Sequence, residues 1–233
     1  MTYARDKVET HYRFKTREQV FESGYNRVQT MAEVIESATG ATLDGRRALD
    51  YGCGVGRLAV PLAQQCEHVY GIDISTATLK AASENAEREG VSNVDWLEPD
   101  ALAGLSGKYD FVLTVHVLQH IRARKGEQIF RQLVRGLQVD GVGWIGVIMR
   151  PSHPVARVLR YTFRSRSDFR PRRKSGFYKP FDLQYFYMTR NSCSLNRLGR
   201  ILAEEGVDNW HVRFNAGKIP RAHDAATIVF RKD

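Results

Sequence analysis

The chain has 233 residues, 42% of them hydrophobic and 26% charged, which suits one well-buried domain with room for an appended piece. No apolar run approaches the ~20 residues of a membrane span, and the opening Met1 to Lys7 carries no apolar signal core, so neither a spanning helix nor secretion is expected. The net charge is +9, and the three cysteines form no CxxC pair, so no metal site or disulfide framework is expected and a reducing cytoplasm is.

Residues 8–40 read as helical. Val20, Phe21, Tyr25, Val28, Met31, Val34 and Ile35 fall near a 3.6-residue period, and Gly40 closes the run. We take 1–40 as an N-terminal helical cap and 41–233 as the main domain. An apolar strand then ends in Asp50 and turns through Gly52, Gly54 and Gly56 into a helix pattern from Leu58 to Ala63. Glycines there let the backbone take positive φ and let a ligand approach with no Cβ in the way. A second strand from His68 ends in Asp73, seventeen residues beyond Gly56, where a carboxylate can accept from both hydroxyls of a ribose. A helix over 76–89, closed by Gly90, leads to a third strand over 94–98 and to Asp100.

A fourth strand begins near Lys108 and runs towards His116, with a short helix to follow. Residues 122–137 form a helix with Ile129, Phe130, Leu133, Val134 and Leu137 on one face, and 142–149 form a buried fifth strand. A helix over 195–205 and an antiparallel pair over 209–214 and 225–230 complete the chain. Alternating strands and helices with a final hairpin predict an α/β fold: a doubly wound, mostly parallel, seven-stranded Rossmann-like sheet. A ligand is then expected at the carboxyl ends of the first strands, where Asp50, Asp73, Asp100 and His116 fall.

The glycine spacing decides the ligand class. A dinucleotide fingerprint wants its third glycine at the sixth position from Gly52, and Arg57 stands there, which disfavours an NAD-dependent dehydrogenase. Asp50-x-Gly52-x-Gly54-x-Gly56 instead resembles the first motif of the class I S-adenosylmethionine-dependent methyltransferases of small-molecule type. The resemblance extends in order through Asp73, Asp100 and the fourth strand, over about 46–150. It implies S-adenosylmethionine as cofactor, bound by Asp50, Gly52, Gly54, Gly56, Asp73, Ile74, Asp100, Ala101 and Val115. It gives Asp100 the adenine amino group. It also implies that the N-terminal helix lies over the cofactor and shapes the acceptor pocket; packing on the sheet edge is the alternative.

Methyl transfer to a hydroxyl or ammonium needs a nucleophile held in line, at about 3–3.5 Å, and a base of pKa near 7 to take its proton. His116 and His120, just past the fourth strand, are the candidate catalytic residues. Residues 150–190 form a basic, aromatic-rich insertion with eleven Lys or Arg against two Asp, and we read it as an acceptor lid. Arg170, Arg172, Arg173 and Lys174, with Tyr178 and Tyr185, are the candidate acceptor contacts.

The expected function is methyl transfer to an O or N atom of a small, anionic or sugar-like metabolite. A nucleic-acid methyltransferase using the basic insertion is the alternative, although the fourth strand lacks the Asn/Asp-Pro-Pro-aromatic signature of base amino-methylation. A non-catalytic cofactor-binding module is the other, and the intact glycines and acids speak against it. Nothing in the sequence sets the oligomeric state.

Overall fold

The computed structural model describes residues 16–148, 193–214 and 225–233. The first helix, α1 (Arg17–Thr39), starts where the Thr16 side chain accepts from the Gln19 N–H. It ends where Gly40 takes a left-handed turn and returns its N–H to Glu36. Val20, Phe21, Val28, Met31 and Ile35 are buried along it, so the stripe read from the sequence is the packed face. The start expected at residue 8 lies outside the described residues.

Next come β1 (Arg47–Tyr51), α2 (Ala59–Ala63), β2 (His68–Ile72), α3 (Thr76–Arg88), β3 (Val94–Leu97) and a 3₁₀ segment, Pro99–Leu105. They are followed by β4 (Tyr109–Thr114), a 3₁₀ turn Leu118–His120, α4 (Ala123–Gly136) and β5 (Leu137–Ile148). Last come α5 (Leu195–Glu204), β6 (Trp210–Phe214) and β7 (Ala225–Arg231).

The strands form one seven-stranded sheet in the order β3-β2-β1-β4-β5-β7-β6. The pairs from β3 to β5 are parallel, and β7 runs antiparallel to both β5 and β6. From β1 the chain builds outward one way through β2 and β3, then the other way through β4 and β5. The crevice at that reversal opens at the carboxyl ends of β1 and β4.

Alternate strand residues feed two cores. Ala48, Phe111, Leu113, Val142 and Trp144 pack against α1, α2 and α3; Leu49, Val112, Ile145 and Phe230 pack against α4 and α5. Each fully buried side chain, such as Met31 or Phe111, contributes roughly 1.5–3 kcal/mol. α1 thus shares a core with the sheet.

The seven strands and their mostly parallel order match the sequence expectation. One boundary does not. β5 begins at Leu137, where a helix end was expected, and runs through Asp140 in the left-handed region (φ 62°). The register against β4 shifts between Tyr109 and Phe111, as an inserted irregularity requires. Residues 150–190 lie outside the described residues.

Candidate functional site

Three glycines turn the chain after β1, all at positive φ: 83° at Gly52, 57° at Gly54 and 84° at Gly56. Their roles differ. A Cβ on Gly52 would run into the Val117 side chain, and one on Gly56 would come within 3.1 Å of Trp96 and Val60. These two let the protein pack on itself. A Cβ on Gly54 would meet no protein atom within 4 Å, so this glycine faces room for a ligand.

Asp73, one residue past β2, closes the same turn. Its Oδ2 accepts from the Gly54 N–H at 3.0 Å and its Oδ1 from the Ser75 N–H at 3.0 Å. Each carboxylate oxygen keeps a further lone pair for a ligand donor. Ile74 beside it is 88% exposed, an apolar side chain left uncovered at the mouth of the crevice. Asp100, in the first turn of the 3₁₀ segment, is exposed, and Ala101 is half-buried. Val115 is half-buried against the α1-side core.

Asp50 is buried at the end of β1, 2% exposed. Burial pushes its carboxyl up to about 7; the Arg57 guanidinium opposes that rise and the charge of Asp73 adds to it. Cys53 is also buried, and its thiol is raised by burial and by the two acids, so it is an inert small residue in the turn.

Past β4 the backbone reverses at His116, which holds φ 63°, a conformation costly for a residue with a Cβ. His116 and His120 are both exposed. They stand four apart in sequence, but a left-handed residue and a 3₁₀ turn replace the α-helix that would stack them. Among the described residues no group of three or more His, Cys, Asp or Glu could hold a metal. Gln119 is 2% exposed, and its Oε1 finds no donor among the described residues.

The sheet therefore brings Asp50, the glycine turn, Asp73, Asp100 and His116 to one end, with His120 a short turn behind. Arg170, Arg172, Arg173, Lys174, Tyr178 and Tyr185 lie outside the described residues. Arg27 and Trp144 escaped the sequence reading. The Arg27 guanidinium carbon sits 5.4 Å from the Trp144 ring centroid. The signal was a cation three residues from Gly24 and four from Met31, inside the apolar stripe of α1.

Residues 48–141 match the profile of a family described as a methyltransferase domain. That segment holds the glycine turn, the three acids Asp50, Asp73 and Asp100, and all of β4. Over that segment the chain is similar to methyltransferase domains. Curated relatives include the ubiquinone biosynthesis O-methyltransferase of Methylocella silvestris, 40% identical over 81 residues, which are 34% of this chain and 31% of that protein. The protein of the same description from Rickettsia akari is 25% identical over 197 residues, 79% of this chain and 73% of its own length. Across the former and others like it, the chain spans only about a third of the relatives' length. Among solved structures, the magnesium protoporphyrin IX methyltransferase of Synechocystis PCC 6803 with bound SAH superposes with a TM-score of 0.64 at 20% identity. That match covers 97% of this chain and 91% of the other, and shows that the two chains share a fold. No helix among the described residues is long and apolar enough to cross a membrane.

Proposed function

We propose that the chain is a methyltransferase that uses S-adenosylmethionine to methylate an oxygen or nitrogen of a small, anionic or sugar-like acceptor. The observation that carries this is the open cradle at Gly54, lined on one side by Asp73 with lone pairs to spare. The residues fit the cofactor part by part. Asp73 would accept from the ribose hydroxyls, Ile74 would cover an adenine face, and Asp100 would accept from the adenine amino group. Names of curated relatives favour oxygen as the methylated atom. Two buried free thiols, Cys53 and Cys66, suit a reducing, cytoplasmic setting.

When bound, the cofactor supplies a methyl group already activated on a sulfonium. The protein's task is alignment and proton removal. The glycine turn fixes one end of the ligand against a rigid strand end. His116, held by its left-handed backbone at the end of β4, is the first candidate to take the acceptor proton, with His120 second.

Calorimetry tests this. S-adenosylmethionine and its demethylated product should bind and NAD should not. Asp73→Ala should weaken binding by on the order of 2–4 kcal/mol, because it removes a charged two-point acceptor and frees the Gly54 N–H. The alanine variant of the catalytic histidine should lose roughly 10²–10⁴-fold in kcat with product affinity intact. Tight NAD binding, or an Asp73→Ala variant that binds like wild type, would overturn the assignment.

A further inference from the structure

On the far side of β1 from Asp73, the described residues gather three arginines, and Asp50 opposes the charge of Arg57 but not that of Arg27. Arg27 lies on α1, half-buried, over the ring of Trp144. One helical turn before it, Gly24 packs so closely on the Arg57 carbonyl that a Cβ there would overlap the oxygen. Arg27 and Arg57 are therefore neighbours across the contact between α1 and the glycine turn. Arg213 on β6 completes the group. It pairs with Thr227, which pairs with Gly146, two residues along β5 from Trp144, so Arg213 and Trp144 share a sheet face.

The electrostatics agree with the placement. Burial lowers the pKa of Arg27 and the charge of Arg213 lowers it further; Arg57 is lowered by burial and by Arg27, with Asp50 opposing. Arg27 forms no ion pair with a described residue. Trp144, 2% exposed, adds an indole N–H with no acceptor among the described residues. Desolvated cations of one sign are costly unless an anion joins them.

We propose that Arg27, Arg57 and Arg213, around Trp144, seat a carboxylate or phosphate group of the methyl acceptor. The location argues for acceptor over cofactor. Asp50 aligns with Leu113 of β4, and Leu113 with Trp144 of β5, so Trp144 stands two strands, about 10 Å, beyond the turn on the side away from Asp73. Gly54, Asp73, Ile74 and Asp100 account for the nucleoside on the other side. Arg213, exposed, stands at the rim where a second oxygen of a planar or tetrahedral anion would be met. The proposal rests on the methyltransferase reading and names the part of the acceptor that the site holds.

Inorganic phosphate is the probe, titrated against chloride at constant ionic strength while indole emission is followed. Phosphate should shift the emission of wild type saturably, and Trp144→Phe should lose the shift. Arg27→Met, which keeps an apolar stem over the ring, should bind phosphate at least about tenfold more weakly, and Arg27→Lys should recover part of the loss. Arg213→Gln, a change at an exposed position, should weaken phosphate severalfold without affecting the fold. Calorimetry with S-adenosylhomocysteine and with 5′-methylthioadenosine, which lacks the amino-acid end, runs on the same samples. An Arg27→Met variant that responds to phosphate like wild type overturns the seat. Loss of S-adenosylhomocysteine affinity in that variant, with methylthioadenosine unaffected, gives the seat to the cofactor carboxylate and overturns the acceptor assignment. Failure of wild type to bind S-adenosylhomocysteine would instead strike the methyltransferase reading, and the phosphate result would stand apart from it.

Discussion

Asp50 is buried at the last but one residue of β1, facing the α1 side of the sheet with Arg57 as its opposite charge. Its pKa rises from 3.8 in the open chain to about 7 in the fold, chiefly through burial. Between those values the folded chain holds a proton that the unfolded chain has released. Stability should therefore fall as pH rises through that interval and level off above it. Asp50→Asn keeps the shape and carries no such proton. Urea unfolding of the ligand-free protein should show the variant gaining on wild type by roughly 2–3 kcal/mol between pH 5 and pH 8. A difference that stays constant with pH would mean that Asp50 is ionised throughout. The turn made by Gly52, Gly54 and Gly56, with Asp73 closing it, was legible because spacing alone marks it. The reason for Gly52 was not, since the side chain that fills its place, Val117, comes from the far end of β4. Nor was the backbone duty of Asp73, which pins the Gly54 and Ser75 N–H groups besides its proposed place at the ligand.

Helices and strands were legible wherever local period and caps decided them, as in α1 with Gly40 or α3 with Ser75 as its N-cap. Leu137 was read as the end of the helix over 122–137, and 138–141 fell between it and the strand read over 142–149. The strand character of that stretch comes from Lys232, which exchanges backbone hydrogen bonds with Asp140 and Gly141 from the other end of the chain. The seating of α1 is likewise long-range. Arg17 Nε donates to Asn85 Oδ1 at 2.9 Å and its Nη2 to Glu89 at 2.8 Å, while Asn85 Nδ2 donates to the Val55 carbonyl in the glycine turn at 3.1 Å. Asn85 is 7% exposed, so it links the helix to the cradle from inside the protein. Asn85→Ala should cost about 1–3 kcal/mol and also weaken S-adenosylhomocysteine binding, because Val55 loses its tether. Glu89→Gln, at a more exposed ion pair, should cost under about 1 kcal/mol and leave the ligand alone. Adding Arg17→Ala to Asn85→Ala should then cost less than Arg17→Ala by itself, since one network is lost once. Strict additivity in urea midpoints would show that Arg17 and Asn85 act independently.

The whole molecule divides its labour along the sheet. The residues proposed to face the nucleoside gather after β2 and β3, the glycine turn after β1 and the histidines after β4, while Arg27 and Arg213 lie towards β5 and β6. Charge divides as unevenly: residues 150–190, with eleven Lys or Arg and two Asp, hold as much net positive charge as the entire chain. A long basic stretch suits either a small anion or a polyanion, and the two differ in their response to salt. An acceptor with one or two anionic groups carries no condensed counterion layer, so log KM should rise only shallowly with log salt. A single-stranded nucleic acid held through five phosphates would give a slope of about 3.5, at 0.7 for each one neutralised. Transfer of a labelled methyl into small-molecule and RNA fractions identifies the acceptor, and its KM is then followed over a salt series. We expect the small-molecule fraction to carry the label and the slope to be shallow. Replacing Arg170, Arg172, Arg173 and Lys174 together with Gln should raise that KM severalfold and leave S-adenosylhomocysteine binding unchanged, because the residues proposed to hold the cofactor, from Asp50 to Asp100, are untouched. Label in RNA with a steep slope would make the chain a nucleic-acid enzyme. An unchanged KM in the quadruple variant would remove those four residues from acceptor binding and leave Arg27, Arg57 and Arg213 as the cations that meet the substrate.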